Sequence, residues 1–337
     1  MHEKIKPPAL KPGSTIKIIA PSSMAGTVEN LSQAISFLTK QGFKVSASSS
    51  LTHASTGRFF TAGDHIRKAE IEGAFKNDDI DAIIALRGGA GSIDLLNIID
   101  YDIIKEHPKI FIGYSDITLL QMAFMRKANL VTFQGPMIID MLETNSQVLN
   151  YNWSTLLSII QEGNAIEIKN PAGSKWSKTI NEGVSRGVLL GGNMSMVSLI
   201  ANTKFMPSTE DSILFMEDVN IEPWMVDNIL TSLFIKGVFS HAKGVFFGEF
   251  PHYGLNDILN SPSATSFLFK NLFVEDYINS TIREIIIDIL TKKAKGLPSF
   301  VDFSCCHGTY ITTVPIGIRA EINSNERTVK MLESAVE

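Results

Sequence analysis

Short apolar runs alternate with amphipathic stretches through the first 140 residues, and this alternation predicts strands that are followed by helices. The predicted helices include residues 28–41 and 63–76. The strand-like runs cover residues 15–20, 43–45, 81–86, 109–112 and 130–133. Repeated alternation of this kind is typical of a parallel sheet with crossover helices on both faces. We therefore predict an N-terminal α/β domain over residues 1–140.

The pattern changes after residue 140. Residues 141–165 are rich in Leu, Asn and Ser and predict a helical connector. Beyond them, short strand-like runs separated by glycine-rich turns, with fewer helices, predict a mixed and β-rich α/β domain over residues 166–337. These runs cover residues 166–168, 188–190, 212–216 and 244–247.

Composition agrees with two globular domains and excludes several classes of protein. The chain has 337 residues, 44% of them hydrophobic and 19% charged, which suits two hydrophobic cores. Its net charge is −5 and it has no long basic block, so no nucleic-acid polymer is expected as a partner. The apolar runs are too short for a membrane span, and the N-terminal residues lack the apolar stretch of a signal peptide. The two cysteines, Cys305 and Cys306, are adjacent, which favours a reducing cytoplasm.

The most informative motif is Gly-Tyr-Ser-Asp at residues 113–116, between a strand-like and a helix-like run. A serine on a tight strand-to-helix turn is typical of a nucleophile elbow, and Gly113 allows the cramped backbone of such a turn. The match is partial, because Ile117 stands where the pattern has its final glycine. The alternative interpretation is that Ser115 and Asp116 form a helix N-cap, which these four residues alone favour.

A serine nucleophile needs a base and an acid that orients the base. Of the seven histidines, His307 is the best candidate, because it lies between an apolar stretch and Gly308. Glu217 ends an apolar strand-like run and is the candidate acid, with Asp218 and Glu222 as competitors. An ordinary loop histidine and a solvated strand end are the structural alternatives for His307 and Glu217.

An oxyanion hole is predicted next to Ser115. The backbone N–H that follows a nucleophile commonly supplies one donor, here Asp116, and Gly88 or Gly89 supplies the second. A phosphate-binding loop at residues 87–91 fits poorly, because the dinucleotide pattern fails at its third glycine. We find no motif for a metal ion or a cofactor and expect neither. Residues 21–23 and 87–89 and Ser115 all follow predicted strands, where ligands bind in parallel sheets, and can share one crevice.

Taken together, the ordered motifs of this chain resemble the LD-carboxypeptidase family of serine peptidases over nearly its whole length. The matching segments are residues 20–23, 57–64 with Arg67, 87–89, 113–118, 135–136, 190–193, 217–218 and 307–308. The resemblance implies a Ser115–Glu217–His307 triad between a flavodoxin-like N-terminal domain and a mostly β C-terminal domain. It also implies a cytoplasmic homodimer that needs no metal.

The family has two main branches, and the resemblance is nearer to the second. One branch removes the terminal D-alanine from murein tetrapeptides, and the other resembles microcin C immunity proteins, which cleave peptidyl or aminoacyl nucleotides. Three segments favour the microcin branch, at residues 253–283, 315–321 and 331–336. That branch stacks a loop tryptophan on its substrate, and Trp176 is the candidate, although an ordinary surface anchor is an equal alternative.

The remaining substrate-binding candidates are Arg87, Gly88 and Asn193. A carboxypeptidase must bind a terminal carboxylate, for which an arginine such as Arg87 or backbone N–H groups are suited; Arg87 in an ion pair is the alternative. Asn193 lies in the family's Leu-Gly-Gly-Asn motif and Gly88 in its Arg-Gly-Gly motif.

Three residues depart from the family pattern and concern the shape of the substrate site. Ala90 replaces a frequent aromatic residue, Gln134 a frequent histidine and Cys306 a frequent glycine. A thiol nucleophile beside His307 is disfavoured, because neither cysteine precedes a helix that would lower its pKa.

Two other functions compete with a serine hydrolase. One is a non-catalytic two-domain protein that binds a small peptide- or sugar-derived ligand, and the other is an amidotransferase-like enzyme, which would carry cysteine at the elbow.

Overall fold

The computed structural model describes residues 4–23, 28–48, 51, 62–161, 166–171, 177–252 and 273–337. These residues form two α/β domains, one around a six-stranded sheet and the other around an eight-stranded sheet. The predicted fold class, a parallel N-terminal sheet followed by a mixed β-rich domain, is confirmed. No helix in the described ranges is long and apolar enough to cross a membrane.

The first sheet has the strand order of flavodoxin-like folds. Five of its six strands have the order β2-β1-β3-β4-β5, and all four neighbouring pairs among them are parallel; the sixth strand pairs with β5. The central strands β3 and β4 are apolar and fully buried, as expected where helices cover both faces. The strands are β1 (Thr15–Ile19), β2 (Lys44–Ala47), β3 (Ala82–Ala85), β4 (Ile110–Gly113) and β5 (Thr132–Gln134).

In the first half of the chain, side-chain caps mark where two helices begin. The Asp100 side chain accepts a hydrogen bond from Asp102 N at the start of α4, and Asn145 accepts from Gln147 N and Val148 N at the start of α6. The helices of this half are α1 (Val28–Lys40), α2 (Asp64–Lys76), α3 (Ser92–Leu95), α4 (Tyr101–Glu106), α5 (Thr118–Lys127) and α6 (Ser146–Ile160), with 3-10 helices at Ser115–Ile117 and Ile138–Leu142.

Helix α6 occupies most of the predicted connector and packs against the first domain. The ring of Trp153 meets Phe37 and Phe43 edge to face, with centroid distances of 5.4 and 6.0 Å. Such aromatic pairs add to the stabilisation from burial. The domain boundaries at residues 140 and 166 stay predictions.

The second sheet is mixed. Strands β8, β9, β10 and β11 run parallel, and the outer pairs are antiparallel. Phe215, Phe246 and Phe300 stack across three neighbouring strands, with both centroid distances 5.5 Å. In spatial order the strands are β6 (Glu167–Ile168), β14 (Thr328–Met331), β13 (Arg319–Asn323), β8 (Val184–Asn193), β9 (Ser212–Glu217), β10 (Gly244–Gly248), β11 (Ser299–Phe303) and β7 (Lys178–Asn181). The helices are α7 (Met194–Ile200), α8 (Pro223–Ile235) and α9 (Phe273–Lys293).

One late strand belongs to the first sheet. Strand β12 (Val314–Ile316) pairs antiparallel with β5 at the edge of that sheet, although it lies in the C-terminal half of the sequence. Pro315 is tolerated there because an edge strand can lack one backbone donor. The loop that precedes β12 carries His307, so this pairing brings the histidine towards the carboxyl ends of the first sheet.

Candidate active site

Ser115 lies on a strained turn directly after β4. Its φ is +64°, a left-handed conformation that a serine rarely adopts, and it begins the 3-10 helix that leads into α5. A Cβ on Gly113 would lie 2.9 Å from the Ile117 side chain, so the turn requires glycine there. Ile117 occupies the N-cap position of helix α5, and no described side chain caps this helix through a hydrogen bond, so the N-cap alternative for Ser115 and Asp116 is wrong. The strand, turn and helix have the geometry of a nucleophile elbow.

The glycine loop after β3 touches this turn. A Cβ on Gly88 would lie 2.7 Å from Ser115 Cβ, 2.9 Å from Ser115 Oγ and 3.4 Å from the backbone N of Asp116. Gly89 has a φ of +123°, and a Cβ there would collide with the Ser23 side chain. Because Gly88 and Gly89 have no side chains, the loop can pack against the elbow. The assignment of the Gly89 and Asp116 N–H groups to an oxyanion hole stays a prediction.

Glu217 and His307 form a direct pair. The distance between Glu217 Oε2 and His307 Nδ1 is 2.5 Å. Glu217 is the last residue of β9 and is fully buried, whereas His307 is half-buried in the loop between β11 and β12. A carboxylate on Nδ1 fixes the ring orientation and assigns the contact with a nucleophile to Nε2.

The Glu217–His307 pair lies beside the elbow. The Tyr114 ring meets the His307 ring edge to face, with a centroid distance of 4.9 Å, and Tyr114 is the residue before Ser115. The Thr118 hydroxyl of α5 accepts a hydrogen bond from Asn193 N, which joins the two domains one helical turn beyond Ser115. His307 is thereby brought next to the residue that precedes Ser115, although the two lie far apart in the sequence.

The electrostatics of the site act mainly on His307. Burial lowers the pKa of His307, but the charge and hydrogen bond of Glu217 and the charges of Asp218 and Asp140 outweigh burial, so that this pKa is raised. Burial also raises the pKa of Asp140 to about 6, although hydrogen bonds from Met137 N and the Tyr114 hydroxyl oppose the effect. The carboxyl groups of Glu217, Asp218 and Asp140 therefore favour the imidazolium that forms when His307 acts as a general base.

The two cysteines do not have the environment of nucleophiles. Both thiols are buried, and burial raises the pKa of Cys306 well above its usual range. The pKa of Cys305 is also raised, although its hydrogen bond with Cys306 opposes this. Thiols with raised pKa values stay protonated near neutral pH, and the thiolate is the reactive form.

The candidate substrate-binding residues have different surroundings. Asn193 is buried, caps α7 through Met196 N and donates to Asp218 Oδ1 over 3.0 Å, so its side chain joins the start of α7 to the end of β9. Arg87 is half-buried, and its Nε has no hydrogen-bond partner among the described residues. Trp176 lies outside the described residues. The substrate-binding roles of Arg87, Gly88, Asn193 and Trp176 stay predictions.

The structure places further residues at the site whose roles there the sequence does not indicate. Tyr114 contacts His307, and Asp140 accepts a hydrogen bond from the Tyr114 hydroxyl. Ser22 and Arg67 lie in motifs that the sequence singles out, but their contacts with the elbow and glycine loop depend on distant residues. Asp218 bonds with Asn193 and Ser195, which leaves Glu217 as the acid on His307. In the described part of the chain, no three His, Cys, Asp or Glu side chains are arranged to hold a metal ion.

Comparison with known protein families identifies relatives along both domains. Residues 16–135 match the LD-carboxypeptidase N-terminal domain, and residues 186–322 match the LD-carboxypeptidase C-terminal domain. A probable murein peptide carboxypeptidase of Bacillus subtilis is 30% identical over 331 residues, which cover 98% of this chain and 95% of the relative.

Solved structures show the same fold. The MccF-like protein of Bacillus anthracis superposes with a TM-score of 0.80 at 29% identity, over 97% of this chain and 99% of that protein. The microcin C7 self-immunity protein MccF, in complex with aspartyl sulfamoyl adenosine, superposes with a TM-score of 0.81 at 22% identity, over 99% of this chain and 100% of MccF.

Proposed function

The chain belongs to the LD-carboxypeptidase family of serine-type peptidases, and from this we propose that it hydrolyses an amide-type bond through an acyl-enzyme on Ser115. The observation that carries the proposal is the 2.5 Å contact of Glu217 with His307, packed through Tyr114 against the strained elbow. A buried acid, an imidazole and a serine on such a turn are the parts of a hydrolytic triad.

The proposed reaction has two halves. Ser115 Oγ attacks the substrate carbonyl carbon while His307 Nε2 takes the hydroxyl proton, and Glu217 stabilises the resulting imidazolium. The oxyanion accepts hydrogen bonds from the N–H groups of Asp116 and Gly89. The bond from the carbonyl carbon to the leaving group then breaks, and His307 gives its proton to that group. Water, activated by His307, attacks the acyl-enzyme, and its proton returns through His307 to Ser115 as the carboxylate product leaves.

A murein peptide is the first candidate substrate. The 30% identity with a probable murein peptide carboxypeptidase over nearly the whole chain supports it. Such a substrate ends in a free carboxylate, and the guanidinium of Arg87, next to Gly88, is a suitable partner for that group. The family of this chain consists of hydrolases, which disfavours a non-catalytic ligand-binding role.

An aminoacyl nucleotide is the second candidate substrate. The support is the 29% identical MccF-like structure and the aspartyl sulfamoyl adenosine bound by MccF itself. Under this proposal Trp176 stacks on the base, and Asn193 lies near the substrate.

A cytoplasmic homodimer also stays a prediction. If the protein is a dimer, light scattering should give twice the 37.0 kDa mass of one chain.

The test is hydrolysis of both substrates by the purified protein, side by side. We expect Ser115→Ala to abolish release of D-alanine from a murein tetrapeptide, or cleavage of an aminoacyl sulfamoyl adenosine, while the fold is retained. Ser154→Ala, which removes an exposed hydroxyl on α6, is the matched control and should keep wild-type turnover. Wild-type turnover in Ser115→Ala would overturn the proposal, and the preferred substrate decides between the two branches.

A further inference from the structure

Two charged side chains, Arg67 and Asp116, bind the same two stretches of the chain. Arg67 Nη1 donates to the carbonyl oxygens of Pro21 at 2.5 Å and Gly91 at 2.9 Å. Asp116 Oδ2 accepts from Ser22 Oγ at 2.6 Å and from the backbone N of Ser92 at 2.9 Å. The cation thus holds residues 21 and 91 by their carbonyls, and the anion holds residues 22 and 92 by their donors. We call Arg67 and Asp116 the charged clamp.

The clamp is buried, which makes its hydrogen bonds indispensable. Arg67 is 1% exposed and Asp116 is 3% exposed. A buried charge is costly unless hydrogen bonds and counter-charges compensate for lost water. Arg67 Nη2 also pairs with Asp64 Oδ1 at 2.7 Å, and the Ser22 and Ser92 hydroxyls bond with each other at 2.9 Å. The network is therefore highly connected, although none of these side chains belongs to the triad.

The segment that the clamp holds is the glycine loop. Residues 88–90 lie just before the held pair at 91–92, and Ala90 N donates to Ser23 Oγ, next to the held pair at 21–22. Gly88 packs against Ser115, and Gly89 packs against Ser23. The loop is thus confined between the end of β1 and the elbow after β4, and Asp116 belongs to the elbow itself.

We propose that the Asp116 carboxylate, with Arg67 as its counterpart, is a positioning residue for the oxyanion hole. This inference rests on the proposed function. Asp116 then acts twice: its backbone N–H is one donor, and its carboxylate sets the distance from that donor to the Gly89 N–H. Fixing both donors before the reaction matters, because a misplacement of about 1 Å can reduce a rate roughly a hundredfold.

The first test is Asp116→Asn, which keeps the side-chain size and one acceptor oxygen but removes the charge. We expect kcat to fall about 10- to 100-fold while KM changes less than about threefold, because the oxyanion forms only in the transition state. A boronic acid analogue of the substrate, which forms a tetrahedral adduct with Ser115, should bind more weakly by about the same factor. An unchanged kcat, or a loss confined to KM, would overturn the proposal.

The matched control is Glu72→Gln. Glu72 is also a buried carboxylate of the first domain, and it accepts from Asp100 N at 2.7 Å and pairs with Lys68 at 2.9 Å. Its loss should lower stability without changing kcat. If Asp116→Asn does not fold, Ser22→Ala removes one donor to the same carboxylate and should lower kcat several-fold. Ser212→Ala, which removes a buried hydroxyl bond to Thr209 O, should not.

A readout independent of activity separates this inference from the proposed function. Hydrogen exchange of the Ser92 amide should be about tenfold faster in Asp116→Asn than in the wild type and unchanged in Ser115→Ala. If the wild type hydrolyses neither substrate, the proposed function fails and exchange still tests the clamp. If the wild type is active but Ser92 exchanges at the same rate in Asp116→Asn, the clamp fails alone.

Discussion

Ser115 holds a left-handed backbone conformation with φ of +64°, and this strain is separable from its chemistry. Alanine at this position keeps the strain and loses the hydroxyl, whereas glycine loses both. We therefore predict that both variants are inactive and that Ser115→Gly has a free energy of unfolding about 1 kcal/mol higher than Ser115→Ala. Denaturation by urea measures the difference. Equal stabilities would mean that the turn stores no strain at Ser115.

The raised pKa of His307 predicts the acidic limb of the pH profile. His307 must be neutral to take the Ser115 proton, so activity falls as pH falls through its pKa. Because this pKa is raised above the ordinary 6.5, the midpoint of kcat/KM should lie above pH 6.5. Glu217→Gln removes the charge that raises it, and should shift the limb to lower pH and reduce kcat about 10²- to 10⁴-fold.

The control for this prediction is Glu222→Gln. Glu222 competes with Glu217 in the sequence, but its side chain is 53% exposed and lies 3.6 Å from His252. Its replacement should leave the limb in place. A limb that moves in Glu222→Gln and stays in Glu217→Gln would contradict the assignment of the acid.

For single residues, the sequence predicts a role at the site where the adjacent residues form a recognisable pattern. Ser115 has a glycine and a strand before it, and Glu217 ends an apolar run. Tyr114 and Asp140 had no such signal, because the contacts of Tyr114 with His307 and with Asp140 form only in the folded chain. Asp218, the next residue, stays a competitor of Glu217 in the sequence, and it is the contacts of the two side chains at the end of β9 that separate them.

Among the elements, the glycine loop after β3 offers the sharpest test of close packing. A Cβ on Gly88 would lie 2.7 Å from Ser115 Cβ, whereas a Cβ on Gly73 in α2 would meet nothing within 4 Å. We predict that Gly88→Ala displaces the loop or the elbow and lowers kcat about 100-fold or more. Gly73→Ala should keep kcat and raise the free energy of unfolding by roughly 0.5–1 kcal/mol. Wild-type kcat in Gly88→Ala would show that the loop can move without consequence.

The strongly patterned elements were predictable, and their ends were less so. The predicted helices at residues 28–41 and 63–76 correspond to Val28–Lys40 and Asp64–Lys76. The predicted strand at residues 130–133 is observed at Thr132–Gln134, because pairing with β4 and β12 sets its limits rather than its own apolar run. Local periodicity indicates that an element exists, and its neighbours fix where it ends.

For the whole molecule, the sequence predicted two domains but not how they are joined. Strand β12 has three residues, and nothing in them shows that they pair with β5 about 180 positions earlier. The two ends of the chain also meet, since Ala9 N donates to Glu337 O and Lys6 Nζ contacts Glu333 at 2.8 Å. Contacts between residues this far apart in the sequence form only in the folded chain, and no periodic pattern in the sequence indicates them.

These connections predict that the two sheets unfold together. Loss of the second domain would remove β12 from β5 and the C-terminal residues from the N-terminal segment, so the first sheet should not survive alone. In native-state hydrogen exchange, amides of β4 and β9 should then report the same opening free energy and the same dependence on denaturant. If β9 opens at lower denaturant while β4 stays protected, the pairing of β12 with β5 does not couple the domains, and His307 could leave the elbow without unfolding it.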